Sequence, residues 1–380
     1  MTGEILDGMR RLLEAARGGA LATITRTSGS TYQREGAKML CAPDGTLIGS
    51  ISGGCLEADV CEVARGVVER GAPVRRTYDT NAANDNVWGL GLGCNGTVEI
   101  LVESLDWWRS DPGRAVFAAL AQRLDAGAFG VLVTVLKATD EPSAHMRRVF
   151  IGTDDSVTGS LEAPALDRFA VEHARRLLPD SGAGGTIPSG LVVAEGAAEL
   201  FFDLLVPATR LLVIGSGTDV RPLVQMARTL GMRVTVIDGH PEPALRARVP
   251  DADAVVSARP EAIRAVVSFA GRPALVLMTH NYLKDIAALE QVLAAEEALD
   301  YIGVLGPRAR TAQMLDELRA RGVALREEHV AAVRTPIGLD LGARSPAEIA
   351  LAVLAEVLAV KNRRSALPLR DKHAAVGKAA

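Results

Sequence analysis

The residues best able to do chemistry stand together in Gly45–Glu57, GTLIGSISGGCLE. Gly53 and Gly54 let the backbone approach a bound group closely and turn amide N–H groups toward it. Cys55 follows at the start of a helix expected over Leu56–Arg70, where the positive end of the dipole favours thiolate. A thiol so placed suits metal, sulfur or electrophile chemistry; the competing reading is a small buried residue after a tight turn. Ser52 and Glu57 add a hydroxyl and a carboxylate to the same loop. A second glycine-rich loop, in RTYDTNAANDNVWGLGLGCNG, carries Cys94 just before the strand TVEILVE. Its density of Asn, Asp and Gly argues against regular structure there.

The elements that position these loops recur along the chain. After an amphipathic first helix, Ala20–Ser28 alternates and is rich in β-branched residues, as a strand should be. A second strand falls near Lys38–Ala42, followed by a turn at Pro43–Gly45. From about Asp106 the pattern starts again: GVLVTVL (Gly130–Leu136) matches GALATIT, and Asp154–Leu178 follows the layout of DGTLIGSISGGCLEADVCEVARGVV. Gly49, Ser50, Leu56, Ala64 and Arg65 correspond to Gly159, Ser160, Leu166, Ala174 and Arg175 at a constant offset. Each stretch closes with a strand, GTVEILVE and GAAELFFD. The pattern reads as a degenerate internal duplication. The second copy has Glu162–Ala165, EAPA, where the first has Ser52–Cys55, SGGC. A structural requirement should appear in both copies and a chemical one need appear only once, which assigns Cys55 and its loop to function.

Arg210 opens a different pattern. LLVIGSGTDVRPLVQMARTLGMRVTVIDGHPE reads as strand, Gly-x-Gly loop, helix and strand, the start of a Rossmann unit whose loop cradles a phosphate at a helix N-terminus. Gly215 and Gly217 form that loop, Val220 stands at the third glycine position, and Asp238 lies where a ribose-binding acid is expected. An NAD(P) site is one reading of it. His280, in THNYLKD after the strand Ala274–Met278, leaves the sheet edge where open α/β folds bind ligands. Arg308 and Arg310 follow Gly306 at a helix start, placed to clamp an anion or to be solvated. The last helix begins with Ser345 as N-cap, Pro346 in the first position and Glu348 closing a capping box. The expected fold class is α/β: an N-terminal α/β domain with an internal duplication, then a Rossmann-like parallel-sheet domain. The expected boundaries are 1–105, 106–207, 208–365 and a frayed tail, 366–380.

Composition narrows the function class. The chain has 380 residues, 48% hydrophobic and 23% charged, with a formal net charge of −4. That balance argues against nucleic acid or an anionic membrane as partner. The first residues carry acids and lack a signal-peptide core, and IALAVLAEVLAV is too short to span a bilayer. Cys41, Cys55, Cys61 and Cys94 show no zinc spacing. A reduced, cytoplasmic protein is expected.

Several blocks together resemble one family: GSTYQREGAKMLCAPDGTLIGSISGGCLE, WGLGLGCNGTVEILVE, LVIGSGTDV, VLMTHNYLKDIAALEQVL, YIGVLGPRART and TPIGLDLGARSPAEIALAVLAE. Their order and content are similar to the XdhC/CoxF family, maturation factors of xanthine and carbon monoxide dehydrogenases. The resemblance implies a chaperone that binds molybdopterin-bound molybdenum, holds it during sulfuration by a cysteine desulfurase, and passes it to an apo-molybdenum hydroxylase. Cys55 and Cys94 would then contact molybdenum, Gly53, Gly54 and Glu57 would shape the pocket, and the helix after Gly217 would take the pterin phosphate. Three elements depart from the family pattern: Thr218 replaces a histidine, Gly306–Arg310 replaces a Gly-Ser-x-x-Lys loop, and Cys94-Asn95-Gly96 replaces Cys-Gly-Gly. Two other classes stay open on the residues alone. One is an NAD(P)-dependent oxidoreductase with His280 as acid/base; the other is a thiol sulfur carrier with Cys55 as nucleophile. A homodimer is expected, because neither domain alone encloses a large ligand.

Overall fold

The structure is a computed structural model that describes residues 3–15, 18–79, 96–137, 146–178, 190–196 and 198–371. Its contacts divide the chain into two compact units, Met1–Pro207 and Ala208–Ala380.

In the first unit, β1 (Ala20–Gly29) lies at the centre of a five-stranded sheet with β2 (Lys38–Cys41), β3 (Leu47–Gly49), β4 (Val74–Asp79) and β5 (Gly96–Ser104), in the order β3-β2-β1-β5-β4. A second sheet holds β6 (Gly130–Lys137), β7 (Arg148–Gly152), β8 (Val157–Ser160), β9 (Gly190–Glu195) and β10 (Ala198–Leu205), in the order β8-β7-β6-β10-β9. The two orders are the same element for element, and every pairing is antiparallel. Each sheet carries a helix on its outer face: α2 (Glu57–Arg70) on the first, and α4 (Pro164–Leu177) on the second. Val60, Ala64 and Val67 of α2 pack on Ala20, Ala22 and Ile24, while Ala170 and Ala174 of α4 pack on Val131 and Val133. The other faces share one core. Leu21 and Leu40 meet Leu132 and Phe150 there, with α1 (Gly3–Glu14), α3 (Asp111–Asp125) and Trp108 between them.

Two buried ion pairs cross between the sheets in opposite senses. Lys38 of β2 bonds Asp203 of β10 at 2.6 Å, and Arg148 of β7 bonds Glu103 of β5 at 2.6 Å. Lys38 stands opposite Thr23 and Arg148 opposite Thr134, while Glu103 stands opposite Leu21 and Asp203 opposite Leu132. Base and acid thus occupy matching places in the two sheets. One residue range departs from the sequence expectation. Arg76–Asp79 belongs to β4, which pairs along β5 from Val74 to Asp79, and Tyr78 buries under α2 with its hydroxyl on Asp59. The remainder of that loop, including Cys94, lies outside the described residues.

The second unit is a six-stranded parallel sheet. Its strands are β11 (Arg210–Ile214), β12 (Arg233–Asp238), β13 (Ala254–Ser257), β14 (Ala274–Leu277), β15 (Tyr301–Val304) and β16 (Val333–Arg334), ordered β13-β12-β11-β14-β15-β16. Both faces are covered, so β11 is apolar at every buried position, as buried parallel strands are. Leu211 and Val213 face α5 (Val220–Thr229); Leu212 and Ile214 face α6 (Tyr282–Leu293) and α7 (Arg308–Ala320). The last long helix, α8 (Pro346–Lys361), completes the α5 face and starts with the expected capping box of Ser345 and Glu348. Of the expected tail, Leu369–Asp371 forms a helical turn and 372–380 lies outside the described residues.

Candidate functional site

The Cys55 loop joins the edge strand β3 to α2. The N-cap of α2 is Leu56, whose side chain cannot cap, so the first-turn amides need another acceptor. Glu57 supplies it by curling back over the loop. Its carboxylate accepts Ser50 Oγ at 2.9 Å, Ile51 N at 3.2 Å, Ser52 N and Gly54 N at 2.9 Å, Leu56 N at 3.2 Å, and Ser52 Oγ. Ser50 Oγ accepts from Gly53 N at 3.1 Å, and Ser52 Oγ from Leu56 N at 2.7 Å. Burial alone would raise the pKa of Glu57; the hydrogen bonds from Ser52 and Ser50 outweigh it and bring it down to about 2. The amides of Gly53 and Gly54 therefore turn inward onto side chains of the loop itself, not outward toward a bound group as the sequence suggested. The helix N-terminus is likewise already matched by a carboxylate.

What the loop does present is Cys55, an exposed free thiol. Gly53 and Gly54 reach it with φ of 73° and 116°, conformations that favour glycine. A Cβ on Gly54 would meet nothing within 4 Å, so the space beside Gly54 is open. A Cβ on Gly53 would lie 3.1 Å from the ring of Tyr32, which is exposed and flanks the loop. Sequence reasoning misses Tyr32; the aromatic in GSTYQREG is its one signal. The matching loop of the second sheet is built on the same plan with less. Ser160 Oγ and Leu161 N bond Asp167 at 2.8 and 2.6 Å, and EAPA supplies no thiol.

The Rossmann loop lies at the C-terminal edge of the parallel sheet, at the point where strand order reverses between β11 and β14. Gly215 (φ 119°) allows β11 to pass the end of β14: a Cβ there would sit 2.4 Å from Met278 O. Asp238 ends β12 as expected, with both oxygens engaged. Its Oδ1 lies 2.7 Å from His240 Nδ1, and its Oδ2 accepts from Ser216 Oγ at 3.1 Å. Burial pushes its pKa up, but the hydrogen bonds from His240 and Ser216 prevail and hold it below the usual carboxylate range. His280 crosses from the β14 edge to the β11 loop, its Nε2 2.8 Å from Asp219 Oδ2 and its Cδ2 3.6 Å from where a Gly217 Cβ would be. Asp219 thus places a carboxylate at the start of α5, and Val220 at the third glycine position is fully buried. Sequence reasoning misses Asp219 too; it is the acid in GSGTD directly after the glycine loop.

Arg308 is exposed at the start of α7 and makes no hydrogen bond or ion pair among the described residues. Arg310 is not a free clamp. Its Nη2 bonds the buried Asp285 at 2.7 Å, and Asp285 also accepts from Thr279 Oγ1, so this pair fixes the segment that carries His280. His280 has φ 56°, a left-handed conformation that costs a residue with a Cβ about 1 kcal/mol. His280→Gly is expected to unfold at higher urea than His280→Ala by a stability difference of about 1 kcal/mol. Both lose the half-exposed Asp219 pair, which is worth little, but only glycine is freed of the strain. Equal stability of the two variants would contradict this reading.

No group of three or more His, Cys, Asp or Glu among the described residues is arranged to hold a metal ion. No helix among them is long and apolar enough to cross a membrane.

Residues 12–79 match the XdhC and CoxI family model, and residues 211–357 match the XdhC Rossmann domain model. The chain is 28% identical over 352 residues to a probable xanthine dehydrogenase subunit of Bacillus subtilis (strain 168), covering 93% of this chain and 96% of that one. It is 23% identical over 351 residues to the molybdenum cofactor insertion chaperone PaoD of Escherichia coli (strain K12), covering 92% of this chain and 85% of that one. A crystal structure described as a xanthine dehydrogenase from Bacillus halodurans matches with a TM-score of 0.71 at 27% identity, over 97% of this chain and 98% of that one.

Proposed function

The chain belongs to the XdhC and CoxI family, and on that premise we propose that it is a maturation factor that carries the molybdenum cofactor to a molybdenum hydroxylase of the xanthine dehydrogenase type. The observation that carries the proposal is the alignment of a molybdenum cofactor insertion chaperone along 92% of this chain. The geometry supports it at one point in particular. Cys55 is an exposed thiol on a loop held in shape by Glu57. A thiolate is a soft donor suited to a thiophilic metal centre. In this proposal the cofactor is cargo, and Cys55 is its protein contact. Tyr32 offers a hydroxyl at the same loop. Glu57 acts on the loop, not on the cargo. Ser52, Gly53 and Gly54 form the scaffold that presents the thiol, and Cys94 remains a proposed second contact.

In the second unit, Gly215, Gly217, Asp238, His280 and Arg308 border one sheet edge, and Arg308 brings an exposed cation to it. Protection of the cofactor during sulfuration by a cysteine desulfurase, a cytoplasmic homodimer, and a role for the Rossmann domain in holding the pterin phosphate belong to the same proposal. The NAD(P)-dependent alternative is less well supported. The acid expected to bind the ribose, Asp238, has both oxygens engaged by Ser216 and His240. The exposed Cys55 thiol also suits a sulfur carrier, which would bear a persulfide with no pterin.

Expression in a host that makes the cofactor, followed by metal analysis and oxidised-pterin fluorescence, tests the proposal. Wild type is expected to retain molybdenum and pterin, and Cys55→Ala to lose most of both while folding normally. A wild-type protein that carries neither, yet binds NADH tightly, would replace the proposal with the oxidoreductase reading. A persulfide on Cys55 without pterin would replace it with the sulfur-carrier reading.

A further inference from the structure

Two cysteines that take no part in the loop chemistry face each other beneath it. Cys41 ends β2, and Cys61 lies in the second turn of α2. Their Sγ atoms are 3.7 Å apart, within the core that joins α2 to its sheet. Between them in sequence lie the Pro43–Gly45 turn, β3 and the entire Cys55 loop. Closing the pair would therefore make a covalent ring whose far side is that loop.

We propose that Cys41 and Cys61 are a reversible dithiol, closed to an intrachain disulfide by a small peroxide, and that closure stiffens the Cys55 loop. Cys61 is partly exposed and Cys41 is buried, so the oxidant reaches Cys61 first. Burial, with the Cys61 neighbour adding to it, pushes the Cys41 thiol up to about 12, which keeps Cys41 protonated until the second step. In the first step Cys61 sulfur attacks one peroxide oxygen, the O–O bond breaks, and Cys61 becomes a sulfenic acid with release of water. In the second, Cys41 sulfur attacks Cys61 sulfur, the S–O bond breaks, and the Cys41 proton leaves with the hydroxyl as water. Two thiols lose two electrons and one hydrogen peroxide becomes two waters. The sulfurs have to close from 3.7 Å to about 2 Å, the length of the S–S bond. Glu57 starts α2, so a helix tethered to β2 holds the carboxylate that organises the loop more firmly.

The inference does not depend on what the loop carries. The test uses the full-length chain exposed to stoichiometric hydrogen peroxide, quenched, alkylated, digested and mapped by mass. The expected product is a peptide pair joining Cys41 to Cys61, two hydrogens lighter than the sum of its parts and released by dithiothreitol. Amide exchange at Ile51–Leu56 is expected to slow several-fold in the oxidised protein and to return on reduction. Cys61→Ser should abolish both effects; Cys41→Val, which keeps the core apolar, serves if the serine variant does not fold. The proposal fails if Cys41 and Cys61 are both alkylated as in the untreated protein. It also fails if Cys61 runs on to sulfinic acid with no linked peptide, or if either thiol pairs with Cys55 instead.

Discussion

Glu103→Ala is expected to destabilise the Met1–Pro207 unit by about 3–5 kcal/mol, because it leaves the Arg148 guanidinium buried without its counter-charge. The pair is bidentate, Nη1 to Oε2 at 2.7 Å and Nη2 to Oε1 at 2.6 Å, and both side chains are about as buried as core leucines, at 2% and 3% exposed. Arg148 Nε donates to Thr134 Oγ1 at 3.0 Å, and its guanidinium lies 4.8 Å from the rings of both Trp107 and Trp108. Neither a hydroxyl nor an indole can replace a carboxylate there. Replacing both partners, as in Glu103→Met with Arg148→Met, should recover most of the loss, since an apolar pair has no charge to desolvate. Urea unfolding followed by tryptophan fluorescence checks both, because the two rings report directly on the site. A Glu103→Ala loss below about 1 kcal/mol would mean that water reaches the pair and that it counts as a surface bridge. The Lys38–Asp203 pair should be worth less. Asp203 Oδ1 has no hydrogen-bond partner among the described residues, so the lysine, a point donor, leaves half of its carboxylate unsatisfied.

These pairs also mark where sequence reasoning stops. The alternation of β1, the parallel-sheet run at β11 and the capping box at Ser345 are local patterns, and each could be read within a dozen residues. The antiparallel order of the first two sheets could not, apart from the β2–β3 hairpin that Pro43-Asp44-Gly45 announces. Arg148 and Glu103 are 45 positions apart, and no local period connects them. Their types alone, an arginine opening the buried run RVFIG and a glutamate within ILVES, call for a partner but do not say which. The Cys55 loop was legible as a special turn, but the direction of its amides was not. A glycine pair is equally compatible with amides aimed at a ligand and with amides aimed at a neighbouring carboxylate. Comparing the two sheets separates the functions: an acid at the helix start recurs as Glu57 and Asp167 and shapes the loop, while the thiol does not recur.

That division gives the second large effect. Glu57→Gln is expected to destabilise the protein by about 2 kcal/mol at pH 7, a value scaled down from buried charge-assisted bonds because the group is partly solvated. The amide keeps one acceptor oxygen and aims an NH2 at donors, so several of the amides now satisfied by Glu57 lose their partner. The pH dependence identifies the charge as the cause. The folded pKa of Glu57, about 2, lies below the ordinary value of 4.5. Its contribution is therefore present in full above the unfolded value and is lost as pH falls from about 4.5 toward 2. Wild type and Glu57→Gln should accordingly differ most at neutral pH and converge near pH 2 in urea midpoints. A gap that persists unchanged at about pH 2.5 would mean that shape, not charge, sets the loop. Asp167→Asn should cost less at pH 7, because Asp167 receives two loop donors where Glu57 receives six. If the loop exists to present Cys55, Glu57→Gln should also weaken retention of molybdenum while leaving the thiol itself intact. On the proposed function Cys55→Ala should also lose molybdenum, but without moving the unfolding midpoint, so the two variants separate the scaffold from the thiol that it presents.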